Sequence, residues 1–121
     1  MRFEESDLAA MAAAVEVDIE TSSQAGEPHR TIIWIVERDG EVYVRSYRGE
    51  RGRWYREAVA DPDVAIHVDG RRIAARAVAA ADPDSVAACS AGLAEKYEGD
   101  PSTPAMLADA VLGTTLKLVP A

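Results

Sequence analysis

The sequence predicts a small antiparallel β-barrel of the α+β class. Two Asp-Gly pairs, Asp39-Gly40 and Asp69-Gly70, each separate apolar runs of strand length, a strong local signal for a tight hairpin. Val15 to Thr21 alternates apolar and polar residues without a break, as a half-buried strand does. Asp82-Pro83 and Thr103-Pro104 place a capping residue before a proline, which opens a helix. At 121 residues the chain is expected to be one domain over 1–121, long enough to bury roughly two-thirds of its unfolded surface.

Taken in order, Ser6 caps a short helix over residues 7–14, with Asp7 in the first turn, where the helix dipole favours an acid. In the strand from Val15 to Thr21, Val15, Val17 and Ile19 point inward. Glu16, Asp18 and Glu20 form a solvated face that guards an edge strand. Alternate residues stand ~7 Å apart, too far for these acids to hold one ion unaided. A polar turn with Gly26 and Pro28 leads into a strand from Arg30 to Arg38. Ile32 to Val36 is apolar on both faces, which places that strand centrally or against a partner subunit. After Asp39-Gly40, Glu41 to Tyr47 returns. Two glycines then break the pattern, a helix covers Arg53 to Ala60, and Pro62 stops it. Val64 to Val68 and Arg71 to Val78 make the second hairpin. Helices follow from Asp82 to about Tyr97 and from Thr103 to Leu112, the latter closed by Gly113, before a last strand over Thr114 to Val119. About six strands in so short a chain leave little spare core, so a homodimer is expected.

Several functions are excluded or disfavoured. There is no long uncharged apolar run, so no membrane partner is expected. The first residues are acidic and lack an apolar segment, so no secretory signal is read and the cytoplasm is the expected location. Cys89 is the only cysteine, and it sits in an alanine-rich helix as a buried, inert thiol. His29 and His67 have no ligand-spaced neighbours, and His67 alternates out of phase with the apolar residues around it, so no metal is expected. No dinucleotide or phosphate loop motif and no nucleophile elbow is present. The net charge of -8 repels nucleic acid, which is not an expected partner.

Against that charge stands one local inversion. Arg45, Arg48, Arg51, Arg53 and Arg56 fall within twelve residues that hold one acid, Glu50. The run Arg45-Ser46-Tyr47-Arg48-Gly49-Glu50-Arg51-Gly52-Arg53-Trp54-Tyr55-Arg56 carries a strand into a glycine-bearing loop and then a helix N-terminus. That order aims backbone N–H groups at one spot, Gly49 and Gly52 admit an anion closely, and Arg48 and Arg51 each fork two oxygens. Trp54 and Tyr55 offer flat surfaces. A phosphate beside a ring describes a nucleotide-like or flavin-like ligand. The alternative is a solvated loop whose arginines pair with acids such as Glu50 or Glu57, in a chain that uses eleven arginines against two lysines.

Ile33-Trp34-Ile35-Val36, the Asp-Gly turn, Tyr43 to Gly49, Gly52 to Arg56 and the closing Thr114 to Pro120 together resemble domain-of-unknown-function family 2255, short bacterial proteins, over nearly the whole chain. More distantly, the strand–Gly–Trp-Tyr–helix segment and Asp61-Pro62-Asp63-Val64 resemble deazaflavin-dependent nitroreductases and the wider flavin-binding split β-barrels. The resemblance implies a split-barrel homodimer with FMN or a deazaflavin at the subunit interface, and an oxidoreductase in which the cofactor does the hydride chemistry. It assigns phosphate to Arg48, Arg51 and the Gly49 and Gly52 backbone within the run from Arg45, and the ring to Trp34 from the apolar segment with Tyr47 and Trp54 from the run. Ser46 or Tyr55 would hydrogen-bond a ring or substrate oxygen. The chain departs from those relatives in being shorter and in an extra helical stretch over 82–112 that would cover the pocket. Two other functions stand beside this one: a cofactor-free barrel that binds a small aromatic or acidic metabolite, and a structural dimerisation module whose arginines pair with its own acids.

Overall fold

A computed structural model describes residues 2–121. The strands are β1 (Val17–Ser22), β2 (Pro28–Ile33), β3 (Val36–Arg38), β4 (Glu41–Val44), β5 (Asp63–Val68), β6 (Arg71–Ala79) and β7 (Leu116–Pro120). The helices are α1 (Glu5–Ala13), α2 (Arg53–Ala60), α3 (Pro83–Lys96), α4 (Thr103–Met106) and α5 (Asp109–Leu112). The strands form one antiparallel sheet in the order β2-β1-β5-β6-β7-β4-β3. β2 and β3 are neighbours in sequence yet sit at opposite ends of that order. Only Trp34 and Ile35 separate them, a span of at most ~11 Å. The sheet therefore curls until its edges nearly meet, giving an open half-barrel with a seam at those two residues.

The seam accounts for seven strands among the described residues against about six expected. The apolar segment from Arg30 to Arg38 is two strands, and it supplies both edges of the sheet rather than its centre. The break falls where α3 takes the backbone groups that a neighbouring strand would otherwise bond. The Ile35 N–H donates to the Tyr97 hydroxyl at 3.2 Å, and the Ile35 carbonyl accepts from Lys96 Nζ at 2.7 Å. The buried apolar residues of the segment go to two different places. Ile33 and Ile35 enter the barrel core with Ile19, Ile66 and Leu118. Val36 enters a second cluster under α3 with Tyr43, Cys89, Leu93 and Tyr97. A Cβ on Gly92 would meet Val36 at 3.1 Å, which shows how closely α3 approaches β3.

Local signals set most other elements. Asp39 and Gly40 have φ of 53° and 82°, and Asp69 and Gly70 have 51° and 72°, the positive values that both hairpins require. Asp82 caps α3 by accepting from the Ser85 N–H at 3.0 Å. The helix expected from Thr103 to Leu112 is interrupted. The Met106 carbonyl, which a continuous helix would use internally, accepts instead from Arg45 Nη1 at 3.0 Å. At the other end, α1 begins at Glu5, so Ser6 lies inside the helix rather than capping it. Val15 lies before β1, is 69% exposed, and its carbonyl accepts from Tyr97 at 2.7 Å.

β1 is not an edge strand, since β2 and β5 flank it. Its acids pair across the sheet: Asp18 with Arg30 at 2.9 Å, and Glu20 with His67 at 2.7 Å and Arg72 at 3.0 Å. The Arg72 hydrogen bond, then that of His67, holds the Glu20 carboxyl at about 2, well below its ordinary 4.5. A depressed carboxylate contributes stability above its unfolded value and loses it as pH falls toward the folded one. Glu20→Gln is expected to cost about 1–2 kcal/mol at neutral pH, allowing for the exposure of Arg72, with the difference closing between pH 4.5 and 2. Urea unfolding across that range checks it, and a difference independent of pH would overturn it. Among the described residues, no helix is long and apolar enough to cross a membrane.

Candidate functional site

The chain leaves β4 at Val44 and turns sharply. Gly49 takes φ of 64°, which a side chain resists, and the Ser46 hydroxyl donates to the Gly49 carbonyl at 2.7 Å. A single 3₁₀ turn over Gly49–Arg51 then feeds Gly52, the N-cap of α2. Gly52 must lack a side chain because a Cβ there would lie 2.5 Å from Ser46 Oγ. No side chain caps α2, and its first turn carries no acid. Its positive end thus stands among arginines, an arrangement that calls for an anion.

This loop, the seam and the segment after α3 enclose an open cleft of about 690 Å³. Of the residues singled out by sequence, Trp34, Arg45, Ser46, Tyr47, Arg48, Gly52 and Trp54 line it. Gly49, Arg51 and Tyr55 are not among its lining residues: Gly49 packs toward Ala110 and Val111, Arg51 faces solvent, and Tyr55 packs against the core and edge-on to Trp54. Arg53 joins the cleft and donates to Thr31 Oγ1 at 3.2 Å. The sequence shows it in the arginine run only as the first residue of a helix. Thr31, Ile32 and Ile33 contribute one wall, with Glu16 beside them. Asp100, Ser102 and Met106 form a rim, so the helical stretch expected to cover the pocket does border it.

The lining side chains differ in their commitments. Trp34 stacks on Tyr97 with centroids 3.9 Å apart and planes within 3°, one face covered and its body against the cleft. Trp54 is largely core. Tyr47 is 57% exposed and Ile32 65%, which leaves an apolar surface at the mouth. Ser46 is fully buried and its hydroxyl is used on Gly49. Arg45 is buried and bonded only to neutral groups.

Arg30, Arg38, Arg71, Arg72 and Arg76 each pair with a carboxylate. None of the five arginines between Arg45 and Arg56 appears in an ion pair among the described residues. Glu57, within reach by sequence, is held by Thr21 at 2.7 Å and His29 at 2.9 Å. Cys89 is buried, and burial pushes its thiol up to about 11, which suits an inert residue. No group of side chains able to hold a metal ion occurs among the described residues.

Because Trp34 is half-exposed with one face on Tyr97, Trp34→Ala is expected to cost about 1.5–3 kcal/mol, below the range for a fully buried tryptophan. Denaturant unfolding checks it, and a loss under ~1 kcal/mol would show that the stack contributes nothing.

An antiparallel barrel left open at one seam, with a cleft beside that seam, defines a split-barrel protein. The chain belongs to the family described as an uncharacterized protein conserved in bacteria, DUF2255, which matches residues 7–118. No curated protein matches the sequence. Among solved structures, the chain is similar to the heme storage protein HutZ of Vibrio cholerae, with 16% identity and a TM-score of 0.68 over 100% of this chain and 92% of that one. It is also similar to a putative pyridoxamine 5'-phosphate oxidase of Listeria innocua, at 17% and 0.66 over 96% and 91%. An F420 reductase gives 22% and 0.64 over 93% and 91%. At these identities the likeness is one of fold.

Proposed function

We propose that the cleft binds FMN or a deazaflavin by its phosphate and that the protein is an oxidoreductase acting through that group as a homodimer. The observation that carries this is the set of arginines from Arg45 to Arg56 that form no ion pair among the described residues, at a helix N-terminus whose first turn holds no acid, while Arg30, Arg38, Arg71, Arg72 and Arg76 each find a carboxylate. Arg48 and Arg53 hold the phosphate together with the first amides of α2, and Arg51 adds charge from outside the cleft. The free side of Trp34 and the Tyr47 ring flank the flat ring system. The volume of about 690 Å³ lies within the range of small-molecule sites. The bound group supplies hydride chemistry, while the chain supplies position and charge. Two structural neighbours bear the names F420 reductase and putative pyridoxamine 5'-phosphate oxidase, which fits this reading. A purely structural module fits less well, because it needs these arginines paired with the chain's own acids.

The exposed Ile32 and Tyr47 at the cleft mouth support a second copy closing over it. FMN and riboflavin titrations, absorbance of the purified protein, and sedimentation at micromolar concentration test the proposal. FMN binding well above riboflavin, by a species of twice 13.0 kDa, is expected. A colourless protein that ignores FMN and deazaflavins but is stabilised by small aromatic acids would replace it with the cofactor-free barrel. A species of 13.0 kDa alone would overturn the dimer.

A further inference from the structure

Among the described residues, Arg45 is the largest fully buried side chain, 2% exposed. Its guanidinium donates from Nε to Thr115 Oγ1 at 2.9 Å, from Nη1 to Ser90 Oγ and the Met106 carbonyl, both at 3.0 Å, and from Nη2 to the Val86 carbonyl at 3.2 Å. Every partner is neutral. A buried charge is ordinarily paired, because leaving water without a counter-ion is costly. Here α3, α4 and the residue just before β7 converge on the residue just after β4 to hold a cation whose charge is solvated by dipoles but not cancelled. Arg45 also lines the cleft. Glu16 and Asp100 line it too, but both are exposed and screened by solvent, whereas the field of Arg45 acts through protein.

We infer that Arg45 makes the cleft favour a ring carrying negative charge over the same ring uncharged, and so sets the redox poise of the group held there. This rests on the cofactor reading above. A flavin ring that took up a hydride, two electrons and one proton, would carry one more negative charge until a second proton followed. A fixed, uncompensated guanidinium favours that gain without touching the phosphate. Arg45 is then a positioning charge whose action is distinct from that of Arg48 and Arg53.

The test measures the midpoint potential of bound FMN at pH 7, with dithionite as reductant and a reference dye. Arg45→Met removes the charge. Ser90→Asp leaves Arg45 in place and sets a counter-charge against its Nη1, and Ser90→Asn is the uncharged control. Arg45→Met and Ser90→Asp are each expected to weaken the preference for the reduced ring at least tenfold, a drop of about 30 mV for a two-electron couple. Ser90→Asn is expected to match the unmodified chain. Should Arg45→Met fail to fold, Ser90→Asp decides. FMN bound with the same potential in the charge-changing variants overturns this inference alone. No FMN binding by the unmodified chain overturns it together with the cofactor reading.

Discussion

Tyr97→Ala is expected to destabilise the chain by about 3–5 kcal/mol, the range for removing a large buried aromatic side chain. The residue is buried in the cluster under α3, and its ring covers one face of Trp34. Its hydroxyl donates to the Val15 carbonyl at 2.7 Å and accepts from the Ile35 N–H at 3.2 Å. One side chain thus closes the seam, fixes the approach to β1 and positions the cleft's tryptophan. Tyr97→Phe separates these roles. It keeps the stack but leaves the Ile35 N–H, in a buried stretch of backbone, without that partner, at an expected cost of about 1–3 kcal/mol. Equilibrium unfolding in urea checks both variants. A phenylalanine variant as stable as the unmodified chain would show that the hydroxyl does not hold the seam.

The same residue shows why the seam was not legible in the sequence. Reading Arg30 to Arg38 as one strand follows from five consecutive apolar residues, Ile32 to Val36. What divides the segment is a hydroxyl 62 positions away. Periodicity records which faces are apolar, not which backbone groups a distant helix will take. The Asp-Gly hairpins were legible because positive φ is a demand those two residues meet locally. The caps at Asp82 and the span of α2 were legible for similar reasons.

The cleft divides the same way. Tyr47, Arg48 and Trp54 stood in one conspicuous run, while Asp100, Ser102 and Met106 reach it only through the packing of α3 and α4. Gly52 carried a true signal with a different cause, since its missing side chain makes room for Ser46 Oγ. Arg45 belonged to the run by sequence, and nothing local marks it as the one arginine turned into the fold.

Replacing Arg48 and Arg53 together by glutamine is expected to weaken FMN binding by about 10²–10⁴-fold, since charge-assisted contacts contribute about 1.5–3 kcal/mol each. Riboflavin, which lacks the phosphate, should bind the double variant and the unmodified chain alike, so the variant should lose the discrimination rather than the cleft. The apo fold should be unharmed or slightly firmer. Among the described residues neither arginine forms an ion pair, and Arg53 sits in the first turn of α2, where the helix dipole disfavours a cation, although its charge also helps hold the Glu57 carboxyl down. Its one hydrogen bond, to Thr31 Oγ1, is exposed and contributes little. Arg51→Gln, outside the cleft, should weaken FMN binding far less and mainly at low salt, as a screened charge does. If instead the double variant unfolds more easily while FMN affinity holds, these arginines serve the fold and the phosphate is bound elsewhere. Melting temperature and FMN titration on the same preparation separate the outcomes.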